Sequence, residues 1–364
     1  MNGISRTLRR KVRAAAWFAV VPLSVLSASQ ACAQSSVTLY GQVDVFLGAV
    51  KPYGADRKFT IDAGGIQTSY WGIKGTEELS TNLKAIFDLN GFLNADNGTS
   101  GRFSGDSFFS RNSYVGLQDT RYGTVKVGRN TTPYFISTIL FNPMIDSFVF
   151  APTVLHTYLG APYASNGGTI SSGIIGDTGY NNAILYSTPV IGGFSANALY
   201  ALGEQAGSLG SSKWGGNVVY FGQELSATVA FQQVRFNTSP VADTGVPLGF
   251  RYQSAVTAGA AYDFKVVKAF AQGQYIKNSI ASGDVTTKQG QAGISIPIGA
   301  GSVLASFAFA RTTGGPETQL RKTGAIAYDY NLSKRTDLYI AGIVDKVGNL
   351  SLGTTFGLGI RTKF

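Results

Sequence analysis

The sequence predicts an all-β protein, a transmembrane antiparallel β-barrel of 16 strands with short turns at one end and long loops at the other. Three observations carry that reading. Only 14% of the 364 residues are charged and 44% are hydrophobic, whereas a soluble domain carries about a quarter charged residues. Apolar and polar residues alternate through many segments of strand length. The connections between those segments alternate strictly, one long and then one short.

The N-terminus stands apart from this pattern. Arg6, Arg9, Arg10, Lys11 and Arg13 precede the apolar stretch Ala14–Leu26, and Ala31-Cys32-Ala33 is a small-x-small cleavage site before Gln34. This is the pattern of a cleaved signal peptide over residues 1–33, its apolar stretch being short of the roughly 20 residues of a membrane helix. Its removal takes away the single cysteine and five cations, so the formal charge falls from +10 to +5. Residues 34–364 then read as one domain without a linker or disulfide.

The strands follow. In Val37–Ala49, Val37, Leu39, Val43, Val45 and Leu47 share one face, with Thr38, Tyr40, Gln42 and Asp44 on the other. Over 82–93, Leu83, Ala85, Phe87 and Leu89 oppose Lys84, Asp88 and Asn90. Over 225–232, Leu225, Ala227, Val229 and Phe231 oppose Ser226, Thr228 and Gln232. The C-terminal stretch sets Phe356, Leu358, Ile360 and Phe364 against Gly357, Gly359, Arg361 and Lys363. Period two places each set on one face of a strand.

Short connections lie near Leu79–Asn82, Gln118–Gly123, Pro189–Gly193, Gly222–Glu224, Asp263–Val266, Pro297–Gly301 and Asn331–Thr336. Long ones lie near 51–65, 94–107, 132–178, 204–213, 237–249, 278–287, 312–320 and 346–351. Short periplasmic turns, long extracellular loops and an even strand count are the signature of an outer-membrane barrel. Closure removes edge strands that lipid cannot hydrogen-bond. Sixteen strands enclose a lumen too wide for side chains to fill, which leaves an aqueous pore.

Several segments resemble the general porins of Gram-negative outer membranes: Ser36-Val37-Thr38-Leu39-Tyr40-Gly41, Gly72-Ile73-Lys74-Gly75-Thr76-Glu77-Glu78, Ser113-Tyr114-Val115-Gly116-Leu117, Gly128-Arg129-Asn130 and Asn331-Leu332-Ser333-Lys334-Arg335-Thr336. Phe364 ends an alternating strand, as in proteins recognised by the outer-membrane assembly machinery. The resemblance spans the chain after residue 33. It implies a homotrimer of 16-stranded barrels, embedded among outer-membrane lipid and lipopolysaccharide, that passes small solutes and ions by diffusion. It also implies that the third long loop folds into the lumen and narrows it.

That constriction loop would be 132–178, which is rich in Tyr, Phe and Pro. From Asn130 to Ser212 there is no Lys or Arg, and the only acids are Asp146, Asp177 and Glu204. Relatives of this kind set acidic loop residues against a ladder of wall arginines. Arg111 matches one ladder position; Tyr70, Tyr180 and Gln42 stand where relatives carry cations. Lys74, Lys84, Asp88, Arg111 and Lys126 are the inward-phase charges near mid-chain, and Arg129 is a further candidate. The expected pore-lining set is therefore Lys74, Arg111, Lys126, Arg129, Tyr70, Tyr180, Gln42, Asp146 and His156. A positive wall facing a nearly neutral loop favours anions, because charge selects ions most strongly where the pore is narrow. The tyrosines leave open a substrate-preferring pore with a weak site for a sugar, an aromatic solute or an organic acid.

Other classes fit less well. No phosphate loop, metal-ligand cluster, cofactor motif or nucleic-acid-binding feature is present in the sequence. A barrel hydrolase needs a histidine base beside a nucleophile, and the single histidine, His156, has no acid in its sequence neighbourhood. An adhesin or purely structural barrel would conduct nothing.

Overall fold

The computed structural model describes residues 36–364 except 167, 205–209 and 237–248. The expected signal peptide therefore lies outside the described residues, as do parts of the loops near 204–213 and 237–249. No described helix is long and apolar enough to cross a membrane.

Twenty strands occur in chain order among the described residues. The first seven are β1 (Ser36–Lys51), β2 (Lys58–Ala63), β3 (Tyr70–Glu78), β4 (Leu83–Asn94), β5 (Thr99–Ser100), β6 (Asn112–Asp119) and β7 (Gly123–Thr131). Two helices follow, α1 (Pro133–Leu140) and α2 (Pro152–Tyr158), then the hairpin β8 (Pro162–Ser165) and β9 (Gly168–Ser171). The wall resumes with β10 (Gly179–Ser187), β11 (Phe194–Ala201), β12 (Lys213–Phe221), β13 (Leu225–Arg235) and β14 (Phe250–Asp263). It ends with β15 (Lys268–Ile280), β16 (Gly283–Ile298), β17 (Gly301–Thr313), β18 (Gln319–Asn331), β19 (Thr336–Val347) and β20 (Gly353–Lys363).

These make a closed antiparallel barrel of 16 wall strands. β5, β8 and β9 belong to loops, and β2 and β3 are two halves of one wall strand, pairing with the two ends of β1. The ring closes where β1 pairs with β20, Val45 opposite Ile360, and the main chains of Gly41 and Phe364 exchange both hydrogen bonds. The outward apolar phase reads as expected, with Leu39, Leu47, Val229, Phe356 and Leu358 exposed.

The break between β2 and β3 has a local cause. Gly64 takes a positive φ of 74°, a backbone state glycine adopts without steric cost. The freed N–H groups of Gly65, Ile66 and Gln67 donate instead to the Asp44 carboxylate at 3.0, 3.1 and 2.9 Å. Tyr339 completes the cradle with an O–H bond of 2.6 Å to the same carboxylate.

All seven short turns fall where the pattern places them. Three of the expected long loops are short. β15 and β16 run on to a tight hairpin at 281–282, so 278–287 is strand rather than loop. The connections after β17 and β19 shrink to 314–318 and 348–352. Strands here extend beyond the apolar band, and their polar residues imitate loop composition.

Candidate functional site

The connection 132–178 turns inward. Thr132 caps α1, its side chain accepting from the Phe135 N–H, and Pro133 opens the helix; such a Thr-Pro pair satisfies a free donor and pre-sets φ. α1 lies against the inward faces of β12–β14. There Ser137 bonds Thr228 at 2.9 Å, and Asn217 donates to Ser137 Oγ and to the Pro133 carbonyl at 2.9 and 3.0 Å. α2 lies against β16–β18. Gln289 donates to Thr153 Oγ1 at 2.8 Å, Thr153 to Gln272 at 2.9 Å, and Arg321 to the carbonyls of Leu155 and Leu159 at 3.1 and 2.8 Å.

Between the helices the loop reaches the far wall. Asp146 accepts from Gln67 and Thr68 at 3.1 and 2.7 Å, and Ser147 donates to the Gly65 carbonyl. Phe150 packs edge-on to Phe46, 5.9 Å between ring centres. The segment covers wall polar groups from β12 round to β1, and its low charge, two carboxylates and no cation, suits that burial.

At its end the loop is tied by charge. Asp177 receives Arg102 at 2.5 Å and a further bond from Arg129, which also donates to Asn181 and to the Ser110 carbonyl at 2.7 Å each. Burial alone would raise the Asp177 pKa, but its bonds to Arg102 and Arg129 and their charges bring it down to about 2.

Along the wall from β3 to β7, Lys74 stays exposed and Arg111 and Lys126 half-buried. Arg111 lies over the Tyr70 ring, Cζ 3.7 Å from its centre. Lys74 sits 4.7 Å over Tyr40 and Lys126 sits 4.6 Å over Tyr114. None of the three joins the ion pairs found among the described residues, whereas Lys84 is paired to Glu78 at 2.5 Å. The one carboxylate among them, Asp88, is occupied by Tyr40 O–H at 2.6 Å and Asn90 at 2.9 Å. Three cations thus rest on aromatic faces, and the segment 132–178 carries no Lys or Arg. A cation over a ring face is held by the ring quadrupole while still presenting charge to water.

The expected lining set divides accordingly. Lys74 is exposed, and Tyr70, Arg111 and Lys126 are half-buried. The other five are corrected to buried positions. Gln42 donates to the Thr68 carbonyl at 2.8 Å. Asp146 fastens the loop tip, and Arg129 is closed off by Asp177. Tyr180 is 3% exposed beneath the loop. His156 is 2% exposed and bonds Thr323 at 2.7 Å; burial, and secondarily the charge of Arg321, hold its pKa well below the ordinary value. Arg129 and Tyr180 are covered by the loop, Gln42 is held by the break between β2 and β3, and Asp146 and His156 are loop residues turned onto the wall. Sequence reasoning missed Tyr40 and Tyr114, although their inward phase beside Lys74 and Lys126 signals them. It also missed the buried pairs of Arg321 with Asp345 and of Arg361 with Asp337.

Comparison with known proteins places this geometry. Residues 15–346 match the family described as Gram-negative porin. Outer membrane porin protein 32 of Delftia acidovorans is 33% identical over 332 residues, covering 88% of this chain and 87% of that protein. The solved anion-selective porin from Comamonas acidovorans superposes with a TM-score of 0.75 at 27% identity, covering 91% of this chain and all of that one. OmpT of Vibrio cholerae in its trimer form superposes with a TM-score of 0.66 at 13% identity, covering 91% and 99%.

Proposed function

The chain belongs to the Gram-negative porin family, and on that premise we propose that this outer-membrane channel passes small hydrophilic solutes with a preference for anions. The observation that carries the preference is the set of Lys74, Arg111 and Lys126, unpaired and facing a loop devoid of Lys and Arg. The anion selectivity of the Comamonas porin supports the same sign. We place the constriction between segment 132–178 and the wall β3–β7, and we assign the assembled state as a homotrimer, in keeping with the trimeric Vibrio barrel. Reversal potentials across a salt gradient in planar bilayers test the preference. A potential of anion-selective sign is expected; a cation preference overturns the assignment.

A second reading concerns the solute. Because each free cation is backed by a tyrosine ring, flat organic anions gain both a charge and a face. Liposome swelling with sugars, amino acids and aromatic carboxylates of matched size tests this. Rates following size alone return the pore to general diffusion, and a faster aromatic carboxylate supports a weak site. Hydrolytic activity is not part of this assignment: His156 is buried, and Thr323 is the partner of its ring.

A further inference from the structure

We propose that the cavity between the inward segment and the wall at β2 and β4 binds a flat, uncharged aromatic molecule. The inference goes beyond the passage of ions, since the site uses none of Lys74, Arg111 and Lys126. The cavity holds about 390 Å³, within the size range of small-molecule sites. The inward segment supplies Phe148, Val149, Tyr158 and Leu159 to its lining; β4 supplies Phe92, and the loop after β5 supplies Phe103.

These side chains are left open to water. Leu159, just past α2, is 47% exposed, and Phe103 is 61% exposed. Phe148, Val149 and Tyr158 are only half-buried beside them. All five line the cavity under the inward segment, so lipid does not account for their exposure. Large apolar side chains gathered at a water-facing hollow mark a binding surface.

The rings come from both sides of the cavity. On the segment, Phe148 and Tyr158 lie 6.3 Å apart between ring centres. On the wall side, the Arg102 guanidinium sits 5.0 Å from the Phe92 ring centre and 5.4 Å from that of Phe103. Rings pack on one another through offset faces and edges, so a flat aromatic molecule finds partners on either side.

The same lining offers nothing to an ion. Its charged members, Arg102 and Asp177, are paired to each other at 2.5 Å. Arg102 is also bound to Asp106 at 2.8 Å, and Asp177 to Arg129. Thr68 donates to Asp146 at 2.7 Å, Ser69 to the Asp44 carbonyl at 2.9 Å and Asn94 to Thr99 at 3.1 Å. An entering ion would shed water without gaining a free counter-charge, which is costly; an uncharged ring avoids that cost. Charge thus separates this site from the cations at Tyr40, Tyr70 and Tyr114.

Equilibrium dialysis of radiolabelled indole against the folded porin in lipid nanodiscs, with empty nanodiscs in parallel, tests this. The porin should retain a saturable excess approaching one indole per barrel, and indole-3-carboxylate should bind about tenfold more weakly. Phe103→Ser with Leu159→Asn should weaken indole binding about tenfold. Phe103→Ser alone, at the more exposed position, should weaken it in the same direction. Single-channel conductance in plain salt shows whether each variant folds. Lys74→Gln should keep indole binding while lowering the anion preference. No saturable excess over empty nanodiscs, equal or tighter binding of the carboxylate, or wild-type affinity in the folded variants overturns the proposal. So does loss of indole binding in Lys74→Gln, which would move the ring to the lumen cations. A missing indole site beside an anion-selective reversal potential leaves the channel assignment untouched.

Discussion

Arg111 is stacked on Tyr70, the guanidinium carbon 3.7 Å from the ring centre, so the cation is fixed in orientation without being neutralised. Arg111→Ala should lower the anion-to-cation permeability ratio about two- to fivefold, as expected for losing one unit charge at short range in a water-filled lumen. Arg111→Lys should keep part of the preference, since the charge remains and the planar stacking does not. Bi-ionic reversal potentials measure both. An unchanged ratio in the alanine variant removes Arg111 from the selective zone.

Asp177 binds Arg102 and Arg129 at the foot of the inward loop. Its lowered pKa means that the tie is complete above the unfolded carboxylate value of about 4 and is lost as pH falls towards about 2. Conductance noise from this loop should be flat from pH 8 to 5 and grow only under stronger acid. Asp177→Asn should produce that noise at neutral pH, because Arg129 then keeps a buried charge without its counter-ion. Quiet single-channel traces from this variant would show that the loop does not depend on the tie.

His156 should be silent as a pH sensor for conduction. Held neutral by burial and by Arg321, it gives no conductance inflection between pH 8 and 5. Stability behaves differently. Below about 6.5 the unfolded chain binds the proton more readily than the folded barrel, so the melting temperature should fall as pH drops through that region. His156→Gln should flatten the histidine component of that slope. A conductance step near pH 6.5 that vanishes in His156→Gln would contradict the buried assignment.

Tyr339→Phe removes one donor from the Asp44 carboxylate while leaving the three backbone donors in place. The expected cost is about 1–3 kcal/mol for an under-satisfied buried charge. It should appear as a lower temperature for loss of the fast-migrating folded form on gels. Conductance at room temperature should be retained. Equal thermal transitions would mean that water replaces the phenol.

The barrel was legible because its signals are local. Period-two alternation sets the face of each residue, and Pro, Gly and Asp punctuate the short turns. The 278–287 misreading has the same origin. Asn278, Ser279 and Asp284 lie on strand ends, with Ser282 in the turn between them, where strand composition ceases to differ from loop composition. Inward phase singled out Lys74, Arg111 and Lys126, whose side chains stay exposed or half-buried rather than buried. It could not separate them from Arg129 and Tyr180, which are removed by the path of a 47-residue segment over the wall, or from Gln42, which the break between β2 and β3 holds. That path depends on contacts such as Asn217 with Pro133 and Arg321 with Leu155, made between residues distant in the chain.

The Asp44–Tyr339 bond joins residues 295 positions apart, and the whole circuit of the wall lies between them. A chain emerging from its N-terminus makes β1 first, yet β1 meets its second neighbour only when β20 arrives. Until then the first strand keeps an open edge through nearly the entire folding reaction. Non-local closure of this kind is slow and exposes pairing surface to other chains. Folding speed in this protein is therefore set less by any single hairpin than by how well β1 is shielded while it waits.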